Sequence, residues 1–154
     1  MPDPHDAPVK DWPDLAGRIE GRSHILPVRV YFEDTDFSGF AYHASHFRWC
    51  ERGRSDWLRL LGVHHRDLHS GDAAAAFAVR RLTMDYLKPA RIDDGLEIVS
   101  SCAGLTTATL TLQQQVRRDG QVLAEAAVVV VLVSAQGRPL RLPARVREAF
   151  QIPA

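Results

Sequence analysis

The stretch Glu33–His46 reads EDTDFSGFAYHASH and joins two segments of different hydrophobic period. Before it, apolar residues recur at every second position over Leu26–Phe32, which predicts a strand. After it, apolar residues recur at three- and four-residue intervals and form one predicted core-facing stripe, which predicts a helix over roughly Ser45–Leu61. The stripe consists of Phe47, Cys50, Trp57, Leu58 and Leu61. The stretch itself holds three acids, a glycine and two histidines, and could be a metal loop, a catalytic turn or a polar connection.

Composition and charge indicate one intracellular domain. The chain has 154 residues, and we expect a tail over residues 1–23, with one short helix near Trp12–Ile19, ahead of a domain over residues 24–154. Lys plus Arg and Asp plus Glu both number 19, so no net charge attracts the chain to nucleic acid or an anionic membrane. Two cysteines fit a reducing compartment, and the longest apolar run is too short for a transmembrane segment. We therefore expect a cytoplasmic protein.

The segment after the predicted helix consists mostly of strand patterns. A short helix is predicted over Pro143–Phe150, and Asp119-Gly120 is a strong hairpin signal. The last strand is rich in valine without alternation, as expected for a central strand covered on both faces. The four predicted strands are Phe77–Leu87, Leu96–Leu105, Ala108–Arg118 and Val122–Val133. This order predicts an α+β fold, in which an antiparallel sheet wraps around one long central helix.

Four residues of the predicted helix and first strand have a specific expected role. Ser45 is the expected N-cap of the helix and Gly62 the residue that ends it. Gly53 costs about 1 kcal/mol of helix propensity relative to alanine, so we expect a close approach by other backbone there. Pro27 is expected at a sheet edge or outside the ladder.

A metal loop is the first reading of the acidic stretch. Asp34–Gly39 fits the first half of an EF-hand calcium loop. The twelfth position, which needs a bidentate glutamate, is Ser45, and the preceding segment is a predicted strand rather than a helix. His43 and His46 have a spacing that metal ligands can use, but the sequence offers no evident third ligand. We therefore predict no metal at this stretch.

A catalytic turn uses the same residues better. An acid on a glycine turn that leads into a helix N-terminus lies beside unpaired backbone N–H groups, which can stabilise an oxyanion. An ionised aspartate can attack a carbonyl or orient water, but it is a weak base and needs a good leaving group such as a thiolate. The turn therefore favours thioester hydrolysis, and Gly39 would let backbone approach the substrate closely. The alternative is that Asp34 and Asp36 only form Asx-turns and cap the helix.

The segment RVYFEDTDFSGFAYHASHF (Arg29–Phe47) resembles the active-site segment of hotdog-fold acyl-CoA thioesterases of the 4-hydroxybenzoyl-CoA thioesterase family, and most closely the Tol-Pal-associated branch. The resemblance continues through CERGRSDWLRLLG, DYLKPARIDDGLEI and GRPLRLP, and covers about residues 24–148. It implies a hotdog fold, hydrolysis of acyl-CoA without a cofactor, and dimers joined sheet edge to sheet edge and commonly paired into tetramers. It also implies an association with an envelope complex, and leaves an acyl carrier protein open as the acyl donor.

Matched residue by residue, the resemblance places the catalytic acid on Asp36. Seven residues later, at His43, lie the backbone N–H that polarises the thioester carbonyl and an imidazole also regarded as catalytic in this branch. Gly39 and Tyr42 match turn and pocket residues of the family. Phe37 stands where the family usually has a small residue, so we expect it to shape the acyl pocket.

The remaining expected substrate contacts are distant in sequence. The resemblance implies that Thr107 contacts pantetheine or the attacking water, and that CoA phosphates lie near basic residues such as Lys88 and Arg138. Glu51 is the alternative carboxylate, because related hotdog thioesterases place theirs on the central helix; flanking arginines make it more typical of an ion-pair partner. Two other functions stay open: a dehydratase acting on hydroxyacyl thioesters, and a non-catalytic module that binds acyl thioesters or proteins.

Overall fold

The computed structural model describes residues 15–68 and 74–151 of the chain. Within these ranges all strand pairs are antiparallel and belong to one sheet, in the order β1-β2-β4-β5-β6-β3, with β7 paired to the end of β6. The strands are β1 (Arg18–Glu20), β2 (Ser23–Arg29), β3 (Ala75–Tyr86), β4 (Gly95–Leu105), β5 (Thr109–Arg118), β6 (Gln121–Ser134) and β7 (Pro139–Leu140). The long strand β3 therefore forms one edge of the sheet.

Three α-helices accompany the sheet: α1 (His43–Leu60), α2 (His65–Leu68) and α3 (Ala144–Phe150). A 3-10 turn, Phe32–Asp34, lies between β2 and α1. None of these helices has the length and hydropathy needed to cross a membrane. The predicted architecture, one long helix against an antiparallel sheet, is confirmed.

Helix α1 buries one side against the inner face of the sheet. Trp49, Gly53 and Trp57 follow one another at four-residue intervals and are all buried, together with Cys50. The predicted apolar stripe is wrong at Phe47, which is 38% exposed, whereas Trp49 is 1% exposed. The three- and four-residue intervals identified a helix, but the position of the sheet selects which of these two aromatic residues is buried.

Gly53 is the point of closest approach between α1 and the sheet. A Cβ at this position would lie 3.1 Å from Ile98 Cγ2 and 3.4 Å from Gln114 Nε2, so the predicted close approach is confirmed, but it is made by side chains rather than by backbone. Gln114 is fully buried, and its Nε2 donates to Cys50 O at 2.9 Å, while its Oε1 accepts from Arg54 Nη1 at 3.0 Å. These bonds attach the middle of α1 to β5.

The prediction that the last of the four strands is covered on both faces is wrong for β6. Ala124, Ala126, Val128 and Val130 are buried, whereas the residues between them are half-buried or, at Ala127, exposed. Side chains of every strand alternate between the two faces of the sheet. Because valine occupies both faces of β6, the sequence did not show which residues would be buried. The hairpin predicted at Asp119-Gly120 joins β5 to β6, and the four predicted strands and the helix near residue 143 are all confirmed.

The N-terminal segment differs from its prediction. The described part of the helix predicted over Trp12–Ile19 is not helical, because Arg18–Glu20 forms β1 and pairs with β2; residues 12–14 lie outside the described ranges. Residue Ala16 is buried, and its carbonyl lies 2.7 Å from His24 Nε2. The sheet thus begins before the predicted domain boundary at residue 24. Strand β2 includes Pro27, which pairs with Glu97 of β4 beyond the last residue covered by β1.

Candidate active site

The acidic stretch folds into a small hairpin. Thr35 and Ala41 form an antiparallel bridge, and Asp36 N–H donates to Phe40 O at 3.1 Å. Gly39 N–H donates back to Asp36 O at 3.1 Å, which closes a four-residue turn, and the φ of Gly39 is +81°. A positive φ is accessible to glycine without steric cost, which is why the turn needs this residue. The hairpin delivers the chain directly to the start of α1.

The first aspartate of the stretch is structural. Asp34 is 8% exposed, and its Oδ2 accepts a hydrogen bond from Tyr31 N–H at 2.9 Å. Its carbonyl oxygen accepts from Tyr42 N–H at 2.6 Å and from Ser45 Oγ at 3.2 Å. These bonds hold the 3-10 turn against the first turn of α1. The capping interpretation therefore applies to Asp34, although through its main chain as much as its side chain.

The second aspartate is exposed. Its carboxylate accepts hydrogen bonds from the Ser38 hydroxyl and, at 2.8 Å, from Ser38 N–H. The hydroxyl bond, then the N–H bond, hold the pKa of Asp36 below its usual value, and the charge of His43 acts in the same direction. Asp36 is thus ionised at neutral pH. Through Oδ1, Asp36 makes the Asx-turn that the sequence offered as the alternative to catalysis. Its other carboxylate oxygen, Oδ2, accepts no hydrogen bond within the described chain.

Helix α1 begins at His43, two residues before the prediction, and Tyr42 is its N-cap without a side-chain cap bond. The predicted N-cap, Ser45, is wrong: it lies inside the first turn, is buried, and its N–H donates to Tyr42 O at 2.9 Å. In the described chain, the N–H groups of His43 and Ala44 have no acceptor. The helix therefore presents two free backbone donors beside the hairpin, with the positive end of its dipole.

Aromatic rings surround this helix start. The His43 ring lies 4.3 Å from that of Tyr42 and 6.4 Å, edge-on, from that of Tyr86, whose hydroxyl donates to His43 O at 2.8 Å. His46 is 3% exposed between Trp49 and Tyr86, and burial, then the charge of His43, lower its pKa to about 4. His46 is therefore a neutral packing residue. Sequence reasoning missed Tyr86, whose only signal was its place in the DYLKP segment of the resemblance.

Other predicted substrate contacts separate into two groups. Phe37 is fully exposed at the tip of the hairpin. Lys88 belongs to the segment after β3, which a hydrogen bond from Ala41 N–H to Ala90 O (2.8 Å) joins to the hairpin. Thr107 lies in the β4–β5 turn, and the hairpin lies at the opposite end of β4. Strand β4 is roughly 30 Å long. Arg138 lies in the β6–β7 turn at that same far end. One chain therefore does not bring Thr107 or Arg138 to Asp36.

The alternative carboxylate, Glu51, lies farther along α1. It accepts a hydrogen bond from Ser55 Oγ at 2.7 Å, and that hydroxyl also lies 2.9 Å from His65 Nε2. No salt bridge joins Glu51 to another described residue, so the expected ion pair is wrong for this part of the chain. All three side chains line an apolar pocket of about 110 Å³ that also contacts Phe77 and Phe150.

Metal binding and cysteine chemistry are two other roles that these side chains could have. No group of three histidine, cysteine, aspartate or glutamate side chains within residues 15–68 and 74–151 is arranged to hold a metal ion. Cys50 is fully buried, and burial raises the pKa of its thiol to about 11. It is a core residue, as predicted, and not a nucleophile.

Comparisons with known proteins place this geometry in a family. The family model described as "Thioesterase superfamily" matches residues 38–125. The acyl-CoA thioester hydrolase YbgC of Escherichia coli O6:H1 is 39% identical over 129 residues, which cover 81% of this chain and 93% of that protein. The acyl-CoA thioesterase YbgC of Haemophilus influenzae is 35% identical over 126 residues, covering 81% and 92%.

Solved structures agree with this assignment. The probable thioesterase from Bartonella henselae superimposes with a TM-score of 0.77 at 36% identity, over 79% of this chain and 99% of that one. The 1,4-dihydroxy-2-naphthoyl-CoA thioesterase Slr0204 from Synechocystis shares the fold, with a TM-score of 0.77 at 19% identity over 83% and 95%. The predicted hotdog fold is thereby confirmed, and the chain belongs to the thioesterase superfamily.

Proposed function

We propose that the protein is an acyl-CoA thioesterase, which hydrolyses an acyl-CoA to a carboxylic acid and free CoA with Asp36 and the start of α1 as its catalytic elements. The observation that carries the proposal is the exposed, ionised Asp36 on a turn directly ahead of two free helix N–H groups. The names of the E. coli and H. influenzae relatives support the reaction class.

In the proposed mechanism the thioester carbonyl oxygen accepts a hydrogen bond from His43 N–H, where the helix dipole stabilises the developing negative charge. Asp36 attacks the carbonyl carbon, the C–S bond breaks, CoA leaves as a thiolate, and water hydrolyses the resulting anhydride. Alternatively, Asp36 directs water to the same carbon and the acid forms in one displacement. In either route the His43 imidazole takes the proton that the attacking water releases and passes it to the CoA thiolate.

The residues around the hairpin would bind the two halves of the substrate. Phe37 and Tyr42 are both exposed, at 113% and 45%, and provide apolar surface for the acyl group. Gly39 adds no side chain to the turn, so backbone can approach the thioester. The Lys88 ammonium, exposed at the same end of the sheet, would attract the CoA phosphates. No metal or redox cofactor takes part in this chemistry.

A homodimer would complete the site. Strand β3 is a twelve-residue sheet edge with no neighbour on its outer side within the described chain, and such an edge favours pairing with a second copy. Antiparallel pairing of two β3 edges places the start of one strand beside the end of the other. Thr107 and Arg138 of the second copy, which lie at the β3-start end, would then approach Asp36 of the first.

Apolar residues on the outer face of β6 support a further face-to-face association into a dimer of dimers. Val129 and Val131 are half-buried in one chain, and Ala127 is exposed. The association with an envelope complex that the resemblance implies stays a prediction, as does the cytoplasmic location.

The dimer is tested by Arg80→Pro. The β3–β6 pairing skips Arg80 at a bulge, so proline there would block the outer edge with little cost to the inner ladder. We expect light scattering to give a dimer or tetramer for the wild type and a monomer for the variant, with turnover lost. A variant that is monomeric and fully active would show that one chain suffices.

The reaction is tested by free-thiol release from a panel of acyl-CoAs, comparing the wild type with Asp36→Asn. Removing a general base or nucleophile costs at least about a hundredfold, so we expect kcat to fall by that factor with unchanged folding. The matched control is Glu33→Gln, which removes an exposed carboxylate from the same loop and should leave kcat unchanged.

Other results would select an alternative function. Full activity of Asp36→Asn combined with loss of activity in Glu51→Gln would move the catalytic carboxylate to α1. Binding of acyl-CoA without turnover would support the non-catalytic module, and loss of water from a hydroxyacyl-CoA would support the dehydratase. Acyl carrier protein thioesters added to the panel would identify the acyl donor.

A further inference from the structure

Tyr86 connects the end of the edge strand to the beginning of α1. Its hydroxyl donates to His43 O at 2.8 Å, across 43 residues of sequence. The Tyr86 backbone is held by pairing with Ala124 of β6, and its ring lies 5.2 Å edge-on from the buried His46 ring. The hydroxyl therefore lies on a side chain whose backbone belongs to the sheet and whose ring contacts a buried residue of α1.

The bond acts on a particular peptide group. The carbonyl of His43 and the N–H of Ala44 belong to one planar trans peptide, so fixing the direction of the C=O also fixes that of the N–H. A hydrogen bond donated to the carbonyl also polarises the peptide, which makes its N–H a stronger donor. Tyr86 thus adds to the helix in holding the direction of the Ala44 N–H, and strengthens it as a donor.

The Ala44 N–H is one of two donors left over at the start of the helix. Ser45 N–H donates to Tyr42 O and Tyr42 N–H donates to Asp34 O, at 2.9 and 2.6 Å. Within the described chain, the N–H groups of His43 and Ala44 have no acceptor. Consecutive helical N–H groups point toward the N-terminus, where the hairpin carrying Asp36 lies.

The protonation state of Tyr86 suits a donor. Partial burial is the main cause that raises the pKa of Tyr86 above its usual value near 10, so the phenol keeps its proton at neutral pH. The hydroxyl can therefore only donate to the His43 carbonyl, which has no proton to give.

We propose that Tyr86 is a positioning residue, which holds the His43–Ala44 peptide so that the Ala44 N–H serves as a second donor to the thioester carbonyl oxygen beside the His43 N–H. The inference rests on the proposed thioesterase function. A second donor aimed at the oxyanion would lower the barrier to the chemical step more than it would tighten substrate binding.

Tyr86→Phe tests the proposal because it removes the hydroxyl and keeps the ring against His46. We expect kcat for acyl-CoA hydrolysis to fall about tenfold, equivalent to about 1.4 kcal/mol, with KM and the melting temperature unchanged. The control, Tyr31→Phe, removes a hydroxyl from an exposed tyrosine ahead of the hairpin and should leave kcat unaltered. A merely structural role would change the melting temperature instead.

A second variant removes the donor itself. Ala44→Pro deletes an N–H that has no acceptor, at a first-turn position where proline is tolerated. We expect a loss of kcat at least as large as in Tyr86→Phe, and this variant decides the matter if Tyr86→Phe does not fold.

Wild-type kcat in Tyr86→Phe or in Ala44→Pro would overturn the inference, as would a loss confined to KM. Asp36→Asn, assayed in parallel, separates the two proposals. If Asp36→Asn is inactive and Tyr86→Phe is fully active, only the role of Tyr86 is overturned. If the wild type itself does not turn over, the proposed function and the role of Tyr86 are both overturned.

Discussion

The two ends of α1 differ in how their backbone groups are satisfied. At the C-terminal end, Gly62 N–H donates to Arg59 O and Val63 N–H donates to Leu58 O, at 2.9 and 2.8 Å, which is the pattern of a Schellman motif. Arg145 also donates to Gly62 O. At the N-terminal end, no side chain caps the helix, and the N–H groups of His43 and Ala44 have no acceptor in the described chain.

This difference separates stability from chemistry. A closed helix end stabilises the fold because its backbone N–H and C=O groups replace their hydrogen bonds to water with hydrogen bonds inside the protein. An open helix end leaves donors whose hydrogen-bonding capacity can be used by a ligand, and here they lie beside an ionised carboxylate. We therefore expect substitutions at the C-terminal end to change stability alone, and substitutions around the hairpin to change activity alone.

The largest effect on stability is expected from Gly62→Ala. The φ of Gly62 is +79°, where an L-residue costs roughly 1–2 kcal/mol, and an added Cβ would overlap the Arg145 guanidinium. The free energy of unfolding, measured by urea denaturation, should fall by about that amount while kcat per folded molecule stays unchanged. Gly62→Asn is the matched control, because asparagine tolerates a positive φ, and it should lose less. A fall in kcat would break the separation between the two ends.

A smaller effect is expected from Ser38→Ala at the other end. The Ser38 hydroxyl is the main cause of the lowered pKa of Asp36, so its removal should raise that pKa. In the proposed mechanism the active form of Asp36 is ionised, so we expect activity to be lost as the pH falls through this pKa. The acid limb of the kcat/KM profile should therefore move to higher pH.

The control for this shift is Thr35→Val, since the Thr35 hydroxyl donates to Phe32 O at 2.7 Å rather than to Asp36. An acid limb that stays in place in Ser38→Ala would show that Asp36 is not the group whose ionisation controls the rate.

The sequence predicted the elements of the fold well and their environments less well. The period of apolar residues identified α1 and four strands, because those periods follow directly from backbone geometry. The same patterns failed where two apolar residues lie two positions apart on a helix, as at Phe47 and Trp49, and where both faces of a strand are apolar, as in β6. Only the position of the sheet decides which side is buried. Strand β1 was missed because three residues carry too little pattern.

The candidate site shows the same limit. Local motifs identified Asp36, Gly39 and His43, which are near one another in sequence and form one hairpin and helix start. Tyr86 was missed, because nothing in the intervening sequence indicates which strand end contacts His43.

The sequence alone thus determined the chemistry available to the protein, since the acid, the glycine turn and the helix start lie within a few consecutive residues and need no distant contact to meet. Tertiary structure decided the rest: that Asp34 is buried and bonded while Asp36 is exposed, and that Ser45 is enclosed rather than capping. It also decided that Tyr86 reaches His43. The physical reason is that hydrogen-bond partners and burial depend on which segments pack together. The residues around two aspartates two positions apart do not indicate that packing.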